Sequence, residues 1–73
     1  MAREEVESEV TGNVWKIEVK VGDQVAQEDT LMILESMKME IPVESPAAGK
    51  VAEILVKDKD QVEEGQVVAI LET

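Results

Sequence analysis

Neither cysteine nor histidine occurs in this 73-residue sequence. Losing the first removes disulfides and thiolate metal ligands, and losing the second removes the commonest base near pH 7. The usual nucleophile, base and zinc-ligand sets therefore go together. Basic residues are scarce as well: seven stand against 17 acidic ones, for a formal net charge of -10. Such a chain repels nucleic-acid phosphates and anionic membrane surfaces, so nucleic acid and membrane are not expected partners and proteins are. No apolar run approaches the roughly 20 residues a membrane span needs. The opening Met1-Ala2-Arg3-Glu4-Glu5 is too acidic for a secretory signal, and the sequence reads as soluble and cytoplasmic. The glutamates show no ligand or acid/base spacing, so neither a metal site nor a catalytic residue is expected.

Length points the same way. A chain this short buries only about 60% of the surface its unfolded form exposes, which leaves little room for an enclosed active site. No linker or low-complexity tract divides it, and residues 1–73 are read as one domain.

What the sequence does contain is a repeat. Residues 12–35 laid over 49–72, at an offset of 37 and without a gap, give eleven identities in 24 positions. They include Gly12/Gly49, Val14/Val51, Asp23/Asp60, Val25/Val62 and Leu34/Leu71, whereas Trp15/Ala52 and Gly22/Lys59 differ. The chain thus consists of two related halves, about 10–35 and 47–72, joined by a hairpin and crossover over 36–46. Two copies are too few for a solenoid, so a closed two-fold arrangement is predicted.

Each half reads as strand. Val14, Ile17, Val19 and Val21, with Thr11 and Trp15, are β-branched and aromatic material bounded by Gly12 and Gly22. Val51, Ile54 and Val56 repeat the pattern, and the short apolar runs Leu31 to Leu34 and Val67 to Leu71 suit strands buried on both sides. Gly22-Asp23-Gln24-Val25 and Lys59-Asp60-Gln61-Val62 look like tight turns leading into very short strands. Pro42 and Pro46 cannot donate ladder hydrogen bonds, so 42–46 belongs at an edge or in a crossover. Arg3 to Val10 stays open between an edge strand and a frayed tail. The sum is an all-β fold of seven or eight short strands, a small flattened barrel or sandwich with internal pseudo-two-fold symmetry.

The joint carries the sequence's most unusual stretch, Glu35-Ser36-Met37-Lys38-Met39-Glu40. Two-residue hairpin turns favour Asn-Gly or Asp-Gly because their central residues need positive φ, and Met-Lys is poor material for that. A turn at Met37-Lys38 would set local preference against the fold, a conflict that arises most often at functional or strained sites. The alternative is that the turn lies elsewhere, with Lys38 a solvated strand residue, Glu35 and Glu40 a solubilising rim, and Met37 and Met39 flexible core filler.

The stretch 35–40, followed by Ile41-Pro42 and by Ser45-Pro46-Ala47-Ala48-Gly49-Lys50-Val51, strongly resembles the biotinyl/lipoyl attachment domains. It is most similar to the biotin carboxyl carrier type, whose modified lysine lies in an (Ala or Ser)-Met-Lys-Met motif. The resemblance runs from about Val10 to the end and includes the Gly22-Asp23-x-Val25 turn, the Gly65 turn and the repeat. It implies a flattened barrel of two four-stranded antiparallel sheets with Lys38 at the tip of a tight hairpin. It further implies biotin as cofactor, joined to Lys38 by biotin protein ligase, with Met37 and Met39 as flanking recognition residues beside Ser36 and Glu35. Biotin carboxylase and carboxyltransferase are the implied later partners, and the chain itself is implied to be a carrier without catalysis of its own. Lipoyl-bearing relatives usually have Asp before the lysine and Ala after it, so Met37 and Met39 favour biotin over lipoate, and a lipoyl or dual carrier is the alternative. Two departures stand out. The family usually has glycine where this chain has Glu28, and the protruding loop of some bacterial carrier subunits is missing. Both a free-standing minimal carrier and a domain of a longer polypeptide fit.

Overall fold

A computed structural model describes residues 2–73. Eight strands follow one another: β1 (Arg3–Glu7), β2 (Gly12–Ile17), β3 (Gln24–Val25), β4 (Thr30–Ser36), β5 (Met39–Glu44), β6 (Gly49–Ile54), β7 (Gln61–Val62) and β8 (Val67–Glu72). They form two four-stranded antiparallel sheets, ordered β1-β8-β6-β3 and β5-β4-β2-β7. Shifting the first order by 37 residues gives the second, strand for strand. The repeat therefore reaches further than its clearest identities: β1 is the counterpart of β5, and the open N-terminal segment resolves as an edge strand.

The halves are interleaved. Each sheet takes two strands from each half, and only the β2/β4 and β6/β8 pairings join strands of the same half. Between the sheets lies a core that is itself paired: Val6 with Val43, Val14 with Val51, Val25 with Val62, Leu31 with Val68 and Leu34 with Leu71, all buried. Burying each of these valine or leucine side chains contributes about 1.5–3 kcal/mol. Even the buried hydroxyls correspond. Ser8 Oγ donates to the Val10 carbonyl at 2.5 Å and Ser45 Oγ to the Ala47 carbonyl at 2.6 Å, so neither is left unsatisfied.

Turns repeat at the level of atoms. Asp23 accepts from the Lys20 N–H through its carboxylate at 2.9 Å while its own N–H donates to the Lys20 carbonyl, and Asp60 does the same with Lys57. The first strands end sooner than the apolar pattern predicts. β2 stops at Ile17, Val19 packs against the core from the connecting segment, and Val21 stands 62% exposed in the turn before Gly22. Pro42 lies in β5, an edge strand, where its missing N–H costs no ladder bond.

Candidate functional site

The hairpin between β4 and β5 closes in two residues. Ser36 and Met39 form the last strand pair, leaving Met37 and Lys38 as the turn. Both have positive φ, 53° and 64°, as a type I′ turn requires. For L-residues this backbone costs of order 1–3 kcal/mol each and persists only where the surroundings over-determine it. The surroundings do so. β4 is anchored by the fully buried Leu31, Met32 and Leu34, and β5 by Val43. At the base of the hairpin, Ser36 Oγ donates to the Thr11 carbonyl at 2.8 Å. Gly12 lies alongside, where a Cβ would collide with the Glu35 carbonyl oxygen and press on Ser36 Cβ. That glycine serves close approach, not a turn.

The strain holds out a triplet of long side chains. Lys38 is exposed, Met37 is 92% exposed and Met39 64%. Core filling by these two methionines is thereby ruled out, and so is a turn placed elsewhere. Met32, in the middle of β4, is the filler methionine, at 0%. Among the described residues Lys38 makes no ion pair and no side-chain hydrogen bond; the ion pairs are Arg3 with Glu53 and Lys16 with Glu18. One pair behind the tip, Glu35 and Glu40 face each other across β4 and β5, a like-charge arrangement that opposes pairing. An exposed, unencumbered primary amine on a stiff two-residue bend is what acylation by another protein needs.

Beside the hairpin, on the same sheet, Trp15 is the extra residue of a bulge in β2 and stands 51% exposed. With Asn13, Val14, Glu35 and Lys59 it lines a shallow cavity of about 270 Å³. The equivalent bulge in β6 falls at Ala52, so the fold itself does not require an indole there. The break in the repeat at Trp15/Ala52 is the sequence signal for this surface. The Thr11, Gly12 and Ser36 contacts have no such signal. Among the described residues no group of three or more His, Cys, Asp or Glu side chains could hold a metal ion, and no helix is long and apolar enough to cross a membrane.

The biotin/lipoyl family model, described as "Biotin-requiring enzyme", matches residues 4–71. The chain belongs to this family. It is 53% identical over 38 residues to the biotin/lipoyl attachment protein of Bacillus subtilis, a stretch covering 52% of each chain. It is 52% identical over 40 residues to the biotinylated protein TB7.3 homolog of Mycolicibacterium smegmatis, covering 55% of this chain and 56% of that one. These matches span about half the length of the curated relatives. In three dimensions the crystal structure of Kluyveromyces lactis urea carboxylase contains the same fold, with a TM-score of 0.93 and 42% identity over 99% of this chain and 6% of that one.

Proposed function

We propose that this chain is a biotin carboxyl carrier domain and that Lys38 is its attachment residue. The observation that carries the reading is the exposed Lys38 amine on a left-handed Met37-Lys38 turn, within the family's Ser-Met-Lys-Met motif. Support comes from the biotinylated relative and from the carboxylase that contains this fold at 42% identity.

The work of the chain's own residues is presentation. A lysine amine near pH 7 is overwhelmingly protonated and therefore a poor nucleophile. No base stands over Lys38, so biotin protein ligase has to provide both the activated acyl group and the proton acceptor. Met37, Met39, Ser36 and Glu35 form the surface the ligase meets at the tip. Attached biotin supplies a ureido nitrogen that takes up and gives up a carboxyl group. The rigid hairpin keeps that arm clear of the barrel, at high effective concentration for a biotin carboxylase site and then a carboxyltransferase site. Both chemical steps belong to those partners, and the chain acts as a single carrier domain with no catalytic residue of its own, in the cytoplasm.

A second reading, lipoate on the same lysine, is favoured by the Bacillus subtilis relative, whose name covers both groups. Intact mass after co-expression with biotin protein ligase separates the two by the acyl group added. The proposal expects one biotinyl adduct on the native chain and none on Lys38→Arg, with both proteins folded. Biotin on the arginine variant would refute the assignment.

A further inference from the structure

We propose that Met37 and Met39 are paired oxidation sites through which peroxide closes Lys38 to its ligase. The proposal rests on Lys38 being the biotinylated residue. Its starting point is a contrast inside one protein: Met37 and Met39 are 92% and 64% exposed, whereas Met32, in the middle of β4, is fully buried.

 Met32 lies within β4, Met37 in the turn that follows it and Met39 at the start of β5, so the buried thioether and the exposed pair share one hairpin but meet solvent very differently.

Exposure decides which sulfur a dissolved oxidant meets. A thioether lone pair of Met37 or Met39 attacks one oxygen of hydrogen peroxide, the O–O bond breaks, and the departing hydroxide takes the remaining proton to leave as water. Sulfur is oxidised by two electrons, the peroxide is reduced, and each side chain becomes a sulfoxide. The fold has no reason to respond, because both side chains lie outside the core and the Ser36/Met39 strand pair is held through backbone.

Recognition does respond. A sulfoxide is polar and chiral where the thioether was apolar and adaptable. The two altered groups flank the amine on either side, so a ligase cannot reach Lys38 Nζ without covering at least one of them. Covering an S=O without a hydrogen-bond partner costs enough to slow the encounter roughly tenfold or more. Sulfoxides form as two epimers, each reduced by its own methionine sulfoxide reductase, so the block is reversible and complete reversal needs both enzymes.

The test uses the full chain. Unbiotinylated protein is treated with dilute hydrogen peroxide, the peroxide is destroyed with catalase, and each methionine is read by peptide mass mapping before biotin protein ligase is added. The expected result is oxidation at Met37 and Met39 with Met32 intact, an unchanged melting temperature, and biotinylation slowed about tenfold or more. Both reductases together restore the rate, and either alone restores part of it. The double variant Met37→Leu, Met39→Leu is compared only with itself, before and after peroxide, and its rate does not change. Equal rates for oxidised and untreated native protein would overturn the proposal, as would oxidation of Met32 in step with Met37, or a peroxide effect that survives in the double variant or resists both reductases. Failure of untreated protein to take biotin at Lys38 would instead remove the reading on which the proposal rests.

Discussion

Glu28 and Gly65 hold the same place in the two halves, and both have left-handed backbones, at φ 74° and 86°. Each is the third residue of a four-residue turn closed by a backbone hydrogen bond, Asp29 N–H to the Ala26 carbonyl in one half and Gln66 N–H to the Glu63 carbonyl in the other. Glycine takes this backbone freely, whereas an L-residue meets a steric cost of about 1–2 kcal/mol. The departure from the family pattern at residue 28 therefore leaves the turn geometry intact and raises its energy.

Glu28→Gly is accordingly expected to stabilise the protein by about 0.5–1 kcal/mol, the relief of strain being partly offset by a more flexible unfolded chain. For a domain of this size that is a rise in Tm of roughly 2–8 °C. Thermal unfolding followed by circular dichroism checks it, and a lower Tm would contradict the strain argument. Lys59, at φ 73° opposite Gly22, supplies an independent second position for the same measurement.

Gly12 and Gly49 offer a matched pair with different consequences. A Cβ at Gly12 presses on Glu35 and Ser36 at the base of the Lys38 hairpin, and one at Gly49 presses on Glu72 and Thr73. Each alanine variant is expected to lose about 1–3 kcal/mol through overpacking. Only Gly12→Ala should also slow modification of Lys38, because only it displaces the hairpin. Melting curves and ligase rates measured on both proteins test the distinction, and equal rates would mean that the hairpin tolerates the shift.

Met37→Leu and Met39→Leu should each leave the unfolding free energy within about 0.5 kcal/mol of the native value, as surface substitutions do, which thermal unfolding checks. The ligase rate should fall, since the branched side chain cannot adapt as the thioether does. A loss of stability comparable to a core truncation would contradict the exposure of these side chains.

Much of this architecture was legible in the residues. The offset of 37 was visible because the inward positions Val14, Val25 and Leu34 and the turn aspartates recur unchanged, and such positions are fixed by packing and hydrogen bonding. β1 was ambiguous because it lies at a sheet edge with one buried residue, Val6, among five, so most of its positions are free to be acidic. Val21 was misleading. Its apolar side chain continues the alternation of β2 but stands in a turn, where the chain direction is set by Gly22 and Asp23. At the candidate site the sequence showed a conflict, Met-Lys where a hairpin wants Asn-Gly, and the structure resolves it as strain that is present and held. What holds it, the Ser36 hydroxyl on the Thr11 carbonyl and the bare face of Gly12, joins residues more than twenty apart and has no local signature.

Interleaving has its own test. A peptide of residues 2–37 keeps the β2/β4 pairing and loses β8, β6, β7 and β5, the neighbours that β1, β3, β2 and β4 have across the halves. It should show no sheet signal in far-ultraviolet circular dichroism. A folded peptide would mean that half of the chain carries its own core.

Ala2 and Thr73 exchange backbone hydrogen bonds at 3.1 and 2.8 Å, and by the offset of 37 they stand where Met39 and Ser36 stand in the other sheet. From Ala2, β1 runs toward Thr11, the residue that meets Ser36, so this second pairing lies at the opposite pole of a body 36 Å long. A bead, dye or fusion partner coupled at that pole is shielded by the whole barrel from the lysine-bearing tip. The molecule can thus be immobilised on a surface with Lys38 pointing outward, in one orientation, without any change to the hairpin.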